Sequence, residues 1–193
     1  MDLGKGWLPD AGAVFQEVLT RTPWRMSRIF RYEKWVDEPR LGAGARDVPG
    51  DAGEVLAEAR RALTRHYGVQ LSGGGMAYYR DGRDGMAFHR DRDLRYLDDT
   101  IVAILTLGGP RPFALRPFRD GFAVEHGDGF TVEPGCGDLL VMGGRCQADW
   151  QHSVLRQHSL GVPPRISVQW RWTSRTGRPV VGASYRAPRT YRS

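Results

Sequence analysis

The run Arg165-Ile166-Ser167-Val168-Gln169-Trp170-Arg171-Trp172-Thr173 alternates without a break. Ile166, Val168, Trp170 and Trp172 fall on one side of an extended chain, and Arg165, Ser167, Gln169, Arg171 and Thr173 on the other. Period two in β-branched and aromatic residues predicts a strand with one buried face. Both arginines then face the same way. At roughly 3.3 Å per residue they stand about 20 Å apart on a straight strand, too far to grip one small anion together. Each needs its own partner, unless both are simply exposed strand arginines.

Working outward, Met76 to Tyr79, Thr100 to Leu107, Pro112 to Leu115, Asp138 to Met142 and Trp150 to Leu155 are further short runs of this kind, separated by Gly, Pro and Asp turns. Ile101 to Leu105 is apolar on both faces, so that strand is expected to be central. Two helices come first. Asp10 precedes Val14, Phe15, Val18 and Leu19 at helical spacing and reads as an N-cap. Asp51 opens the second helix, whose apolar positions Val55, Leu56, Ala59 and Leu63 lead to a stop at Gly68. Helices before strands predict an α+β chain, mainly β, with two N-terminal helices backing a largely antiparallel sandwich or open barrel. Between the helices, segment 23–50 interleaves Trp24, Tyr32 and Trp35 with Arg25, Arg28, Arg31 and Lys34 and ends rich in Gly and Pro. It is expected to be irregular, a lid or binding loops.

The chain has 193 residues, enough for one domain spanning 1–193. Its 28 Lys+Arg against 22 Asp+Glu give a net charge of +6 and a pI near 9.7. An anionic partner is expected, nucleic acid first, although a merely solvated basic surface explains the charge as well. Residues 175–193 carry five arginines and no acid. They are expected to be a disordered end, with a phosphate-binding arm as the alternative. Cys136 and Cys146 are too few for a disulfide scaffold and lack the CxxC spacing of a zinc site. No signal core opens the chain, and the apolar run Ile101 to Leu107 is too short to cross a bilayer. The expectation is a cytoplasmic monomer without a membrane partner.

Chemistry enters at His89-Arg90-Asp91. Side chains alternate in an extended chain, so His89 and Asp91 point to the same side. His152 shares a strand face with Trp150 and Val154, which turns its imidazole inward, where a metal bond is one way to satisfy it. Two imidazoles and one carboxylate are the set with which non-haem Fe(II) oxygenases hold iron on one face and leave the other open. Arg165 would suit the far carboxylate of a 2-oxoglutarate co-substrate, with Arg171 nearer the metal or its carboxylate ligand. Zinc on the same three ligands, for hydrolysis, is an alternative. A solvated turn at His89 and Asp91 is another. His66, His126 and His158 have no comparable setting.

Taken together, Tyr79-Arg80-Asp81-Gly82, His89-Arg90-Asp91-Arg92-Asp93, the strand Ile101 to Leu107, Gly137-Asp138-Leu139-Leu140-Val141-Met142, His152 and Arg165 through Arg171 resemble the AlkB family of Fe(II)/2-oxoglutarate-dependent dioxygenases, with weaker likeness at Trp35 to Ala43. The resemblance implies a double-stranded β-helix (jelly roll) with helical support and a nucleotide-recognition lid. It implies iron on His89, Asp91 and His152, the distal carboxylate of 2-oxoglutarate on Arg165 with Tyr79 beside it, Arg171 near the metal end, and Asp93 against the damaged base. Ala77 departs from the family, which often has Asn there. The implied reaction is O2-dependent demethylation of alkylated DNA or RNA bases, releasing succinate, CO2 and formaldehyde. A base inside a duplex cannot reach buried iron, so single strands or flipped nucleotides are expected, with Trp35 or Tyr79 to stack on the base. Arg40, Arg80, Arg90 and Arg92 would stand near the mouth. An oxygenase acting on a protein, lipid or small molecule is the first rival, and a jelly-roll binding module without catalysis the second.

Overall fold

A computed structural model describes residues 1–31, 33–91, 94–95, 97–119, 122–123, 129–174 and 190–192. In chain order the elements are β1 (Asp2–Gly4), α1 (Ala11–Arg21), β2 (Arg25–Arg31), β3 (Lys34–Gly44), a 3-10 turn (Ala45–Asp47), α2 (Gly50–Tyr67), β4 (Ser72–Tyr79), β5 (Met86–His89), β6 (Thr100–Gly108), β7 (Phe113–Arg119), β8 (Phe122–Ala123), β9 (Phe130–Val132), β10 (Leu139–Gly144), α3 (Cys146–Asp149), β11 (Trp150–Val154), β12 (Arg165–Thr173) and β13 (Thr190–Arg192). Eight strands pair in the order β1-β10-β6-β12-β4-β3-β2-β13, and five more form a second sheet, β5-β11-β7-β8 with β9 on β7. Neighbouring strands are antiparallel throughout.

Strand alternation sorts the large sheet into two apolar faces. Ala103, Leu105, Leu107, Leu139, Val141, Ile166, Val168 and Trp170 pack on one side against Val14, Phe15 and Val18 of α1 and Leu56, Ala59 and Leu63 of α2. Val102, Ile104, Leu140, Met142, Ala77 and Tyr79 point the other way and meet Phe113, Leu115 and Val154 of the small sheet. Burying each large aliphatic side chain contributes about 1.5–3 kcal/mol, so the continuously apolar β6 is the strand on which both cores rest. It lies between β10 and β12, central as the sequence predicts. Two facing antiparallel sheets with helices behind the larger one make the jelly roll.

Three expectations need correction. Asp10 does precede α1, but its backbone is left-handed (φ 51°) and its side chain makes no capping bond. A side-chain cap requires an extended backbone at that residue. Segment 23–50 is regular rather than irregular: β2 and β3 form a hairpin that extends the large sheet, with Leu41 opposite Tyr78 and Ala43 opposite Met76. Pro39 is tolerated because the β2–β3 register slips there, leaving Glu38, Pro39 and Arg40 opposite Ser27 in a bulge that needs no ladder donor from Pro39. Finally, the end of the basic tail is ordered, since Thr190–Arg192 pairs with Arg28, Ser27 and Met26 of β2. Residues 175–189 lie outside the described residues. The second helix stops at Gly68 with φ 65°, as predicted. No described helix is long and apolar enough to cross a membrane.

Candidate metal centre and anion pocket

His89 closes β5, and the ladder between β5 and β11 places His152 directly opposite it. Their ring centroids are 4.2 Å apart. Asp91, just beyond the strand, brings its Oδ1 to 3.6 Å from His89 Nε2 and 3.9 Å from His152 Nε2. One donor atom from each residue lies within 4.8 Å of the others. His89 Nδ1 is 2.9 Å from the carbonyl of Ala87. A carbonyl only accepts, so this nitrogen carries a proton, and Nε2 is the ring nitrogen that faces Asp91 and His152. Asp91 Oδ2 accepts from Arg171 Nε at 2.7 Å, while Arg171 also donates to Gln169 Oε1 at 2.6 Å. One carboxylate oxygen is thereby fixed and the other faces the two imidazoles.

The electrostatics suit a divalent cation. Burial alone would raise the Asp91 carboxyl, but the neighbouring His89 imidazole, the Arg171 guanidinium and His152 outweigh it and hold the group well below the usual carboxylate range. His152 is 7% exposed and stacks on Phe113 at 5.6 Å. Burial, reinforced by His89, pushes its pKa down to about 3. A neutral imidazole is the form that can donate a lone pair to a metal.

Metal-free protein should show this shift in its stability. Below the ordinary pKa of 6.5, the unfolded chain takes up a proton that the folded chain refuses until pH falls to about 3. The folded state therefore loses stability as pH drops through that window, at up to about 1.4 kcal/mol per pH unit from this group. Urea denaturation of the metal-free protein between pH 6.5 and 4.5 checks it: the midpoint should fall, and should fall less in His152→Leu.

The second feature lies at the other end of β12. Arg165 is 0% exposed, with Nε donating to Ser167 Oγ at 3.3 Å, one terminal nitrogen to Thr106 Oγ1 at 3.0 Å and the other to the Arg111 carbonyl at 3.3 Å. All three acceptors are neutral, and no carboxylate pairs with Arg165 among the described residues. Burial lowers its pKa to about 10, which leaves it charged at neutral pH. Tyr79 lies opposite Arg165 in the β4–β12 ladder, fully buried, its hydroxyl pKa raised by burial so that it stays a proton donor. Ala77, where the AlkB family often has Asn, faces Ser167. The hydroxyls of Ser167 and Thr106 are the polar groups beside the guanidinium.

The structure thus brings together His89, Asp91, His152 and Arg171 in one cluster and Tyr79 with Arg165 in another. Trp35 stands on the hairpin, 40% exposed, edge-to-face with the exposed Phe30 at 5.6 Å. Arg40 and Arg80, expected near the mouth, each hold a carboxylate. Arg40 is 8% exposed and paired with Glu38 at 2.9 Å, opposite Tyr79's strand, and Arg80 grips Asp84 through two bonds of 2.8 and 2.9 Å. Burying the Arg40 guanidinium requires such a partner, whereas Arg80 remains exposed. Arg92 and Asp93 lie outside the described residues. Thr106, Ser167 and Gln147 are polar residues of these clusters that the sequence reading passed over. Thr106 did leave a signal, as a hydroxyl on an otherwise apolar strand, and Ser167 shares the polar face of its strand with Arg165.

Comparison with known proteins agrees with this geometry. The 2OG-Fe(II) oxygenase superfamily matches residues 55–171. The chain is 25% identical over 178 residues to alpha-ketoglutarate-dependent dioxygenase alkB homolog 3 of Bos taurus and 24% identical over 178 residues to that of Homo sapiens. These alignments cover 85% and 84% of this chain but 62% and 61% of those proteins, so the chain spans about three fifths of their length. Among solved structures, a Trichoplax adhaerens prolyl hydroxylase in complex with a hypoxia inducible factor peptide fragment superposes with a TM-score of 0.62 at 14% identity, over 89% of this chain and 83% of that one. The non-heme alpha ketoglutarate dependent epimerase SnoN from nogalamycin biosynthesis gives 0.59 at 17%, over 95% and 82%. At such identities these two speak for the fold alone. Because the matched stretch runs from the second helix through Arg171 and holds all three metal donors and the buried Arg165, the chain belongs to the 2OG-Fe(II) oxygenase superfamily.

Proposed function

We propose that this chain is an Fe(II)- and 2-oxoglutarate-dependent dioxygenase that demethylates alkylated nucleic-acid bases, in the manner of DNA or RNA repair. The observation that carries the substrate half of the reading is the β2–β3 hairpin. It extends the sheet that holds Tyr79 and presents Phe30 and Trp35, 47% and 40% exposed, with Arg28 donating to the Trp35 carbonyl and Arg25 and Lys34 exposed on the same hairpin. Exposed aromatic rings beside cations can stack on an unpaired base while the phosphates meet positive charge. The resemblance to the AlkB family and the net charge of +6 point the same way.

His89, Asp91 and His152 would hold the iron, and Arg165 with the Tyr79 hydroxyl would take the distal carboxylate of the co-substrate. When bound, iron with 2-oxoglutarate and O2 supplies oxidative hydroxylation of a nearby C–H, with succinate and CO2 as co-products. On an N-methyl carbon the hydroxylated product is a hemiaminal, which breaks down to formaldehyde and the free base. Arg171 keeps Asp91 ionised and fixed in orientation. The apolar walls Val102, Ile104, Leu140 and Met142 keep bulk water from the space between the sheets. Asp93 and Arg92 are assigned to base and phosphate on the resemblance alone, and Arg40, a buried residue of the hairpin strand β3, to the inner wall of the base pocket.

The test is formaldehyde release from a methylated single-stranded oligonucleotide, with the unmethylated strand as control. Formaldehyde is expected only from the methylated strand, and Trp35→Ala is expected to reduce it about tenfold, as loss of one base–aromatic stack of 1–3 kcal/mol implies. Succinate formation without formaldehyde from any methylated strand would leave the oxygenase standing and transfer the substrate to a protein, lipid or small molecule.

A further inference from the structure

The turn between the two halves of the metal centre is held by a residue with no role so far. Gln147 sits on the short α3 between β10 and β11, and is 0% exposed. Its Oε1 accepts the backbone N–H of Asp91 at 2.8 Å. Its Nε2 is buried without a hydrogen-bond partner. A buried, unpaired amide donor destabilises the fold, and such groups are rare unless something else requires the residue. Hydrophobic packing would be better served by Leu or Met. What those side chains cannot do is accept from Asp91.

Gln147 also does not act alone. Arg90, between the two ligands, donates to the carbonyl of Ala148 at 3.0 Å and lies over the Phe118 ring at 3.8 Å. Successive residues of the His89–Asp91 stretch are therefore tied to successive residues of α3. His152 follows on β11, which starts directly after α3. Asp91 lies just past the end of β5, and its amide has no strand partner to fix it.

We infer that Gln147 is a positioning residue for the metal centre: by accepting the Asp91 amide it sets the carboxylate's approach to the two imidazoles and couples that ligand to the chain carrying His152. The inference rests on the metal centre and is independent of the choice of substrate. Supporting residues of this kind alter metal affinity by about 10–100-fold when removed.

The experiment compares the metal-free 193-residue chain with Gln147→Met, which fills the same space and cannot accept the amide as the carbonyl does. The probe is Mn(II), an oxygen- and nitrogen-binding divalent ion that stays redox-inert in buffer. Mn(II) is expected to bind the variant at least tenfold more weakly, and the rise in melting temperature on saturating the wild type should shrink at the same metal concentration. A merely structural glutamine would lower the melting temperature equally with and without metal and leave the dissociation constant unchanged, which would overturn the inference. Gln147→Glu keeps an acceptor at the same reach and should bind Mn(II) within about threefold of wild type; it carries the test should the Met variant not fold. Weakening of tenfold or more in a folded Glu variant would equally overturn it. Failure of the wild type to bind Mn(II) would remove the metal centre itself.

Discussion

His152→Ala is expected to abolish succinate formation from 2-oxoglutarate while leaving the two-sheet fold in place. The imidazole lies opposite His89 in the β5–β11 ladder and offers one of the three donor atoms that the described residues bring to the cluster. Losing a metal bond removes several kcal/mol of binding, and at about 1.4 kcal/mol per tenfold this weakens iron by three orders of magnitude or more. Packing around the site is less dependent on it. The ring stacks on Phe113, but Phe113, Leu115 and Val154 still pack against Val102, Ile104, Leu140 and Met142. A burial-depressed imidazole also adds nothing to stability at neutral pH through ionisation. Circular dichroism should therefore be unchanged, and the melting temperature of the metal-free variant should drop modestly. The absorption band that iron and 2-oxoglutarate give together under anaerobic conditions should be missing. Succinate production at more than about 1% of wild type would take His152 out of the ligand set.

Much of this site was legible in the sequence because its parts sit on strands whose period exposes which way each residue points. The alternation of 165–173 separates Ile166, Val168 and Trp170 from Arg165 and Ser167, and the structure packs the first set on the helices and turns the second toward the small sheet. The apolar run 101–105 is two-faced because β6 has a core on both sides. What was not legible depends on pairing between distant segments. That His152 faces His89, and not a neighbour one residue away, is a matter of cross-strand register, and a shift of one would turn the imidazole to the other side of the sheet. The hairpin of 25–44 was hidden by its Pro39 and its charges, because a bulge absorbs the proline and Glu38 and Arg40 neutralise each other inside. Arginines 40 and 80 read in sequence only as cations near the mouth. That they pair with Glu38 and Asp84 depends on contacts the sequence does not show. Gln147 left no trace, since accepting one backbone amide has no pattern to read.

Arg165→Met is expected to separate stability from function with opposite signs. A guanidinium with no exposed surface and only neutral acceptors is an uncompensated buried charge in the free protein. Methionine fills most of that volume without the desolvation penalty, so the melting temperature of the free variant should equal or exceed that of wild type. Co-substrate binding should move the other way. The distal carboxylate of 2-oxoglutarate would enter a buried site with Tyr79, Thr106 and Ser167 hydroxyls but without the guanidinium beside them, and removing one partner of a buried charged pair costs about 2–5 kcal/mol. The KM for 2-oxoglutarate should rise by roughly 10²-fold or more, with metal binding unaffected, because His89 is held by Ala87 and Asp91 by Arg171 and Gln147 instead. Arg165→Lys should recover only part of the loss, since an ammonium offers a point charge in place of the planar fork that matches a carboxylate. Titration of 2-oxoglutarate in the succinate assay, beside a melting curve without ligand, reads both effects. An unchanged KM would assign the carboxylate to another cation, and a much lower melting temperature would mean that Arg165 serves the fold through Thr106 and Ser167 and not the co-substrate.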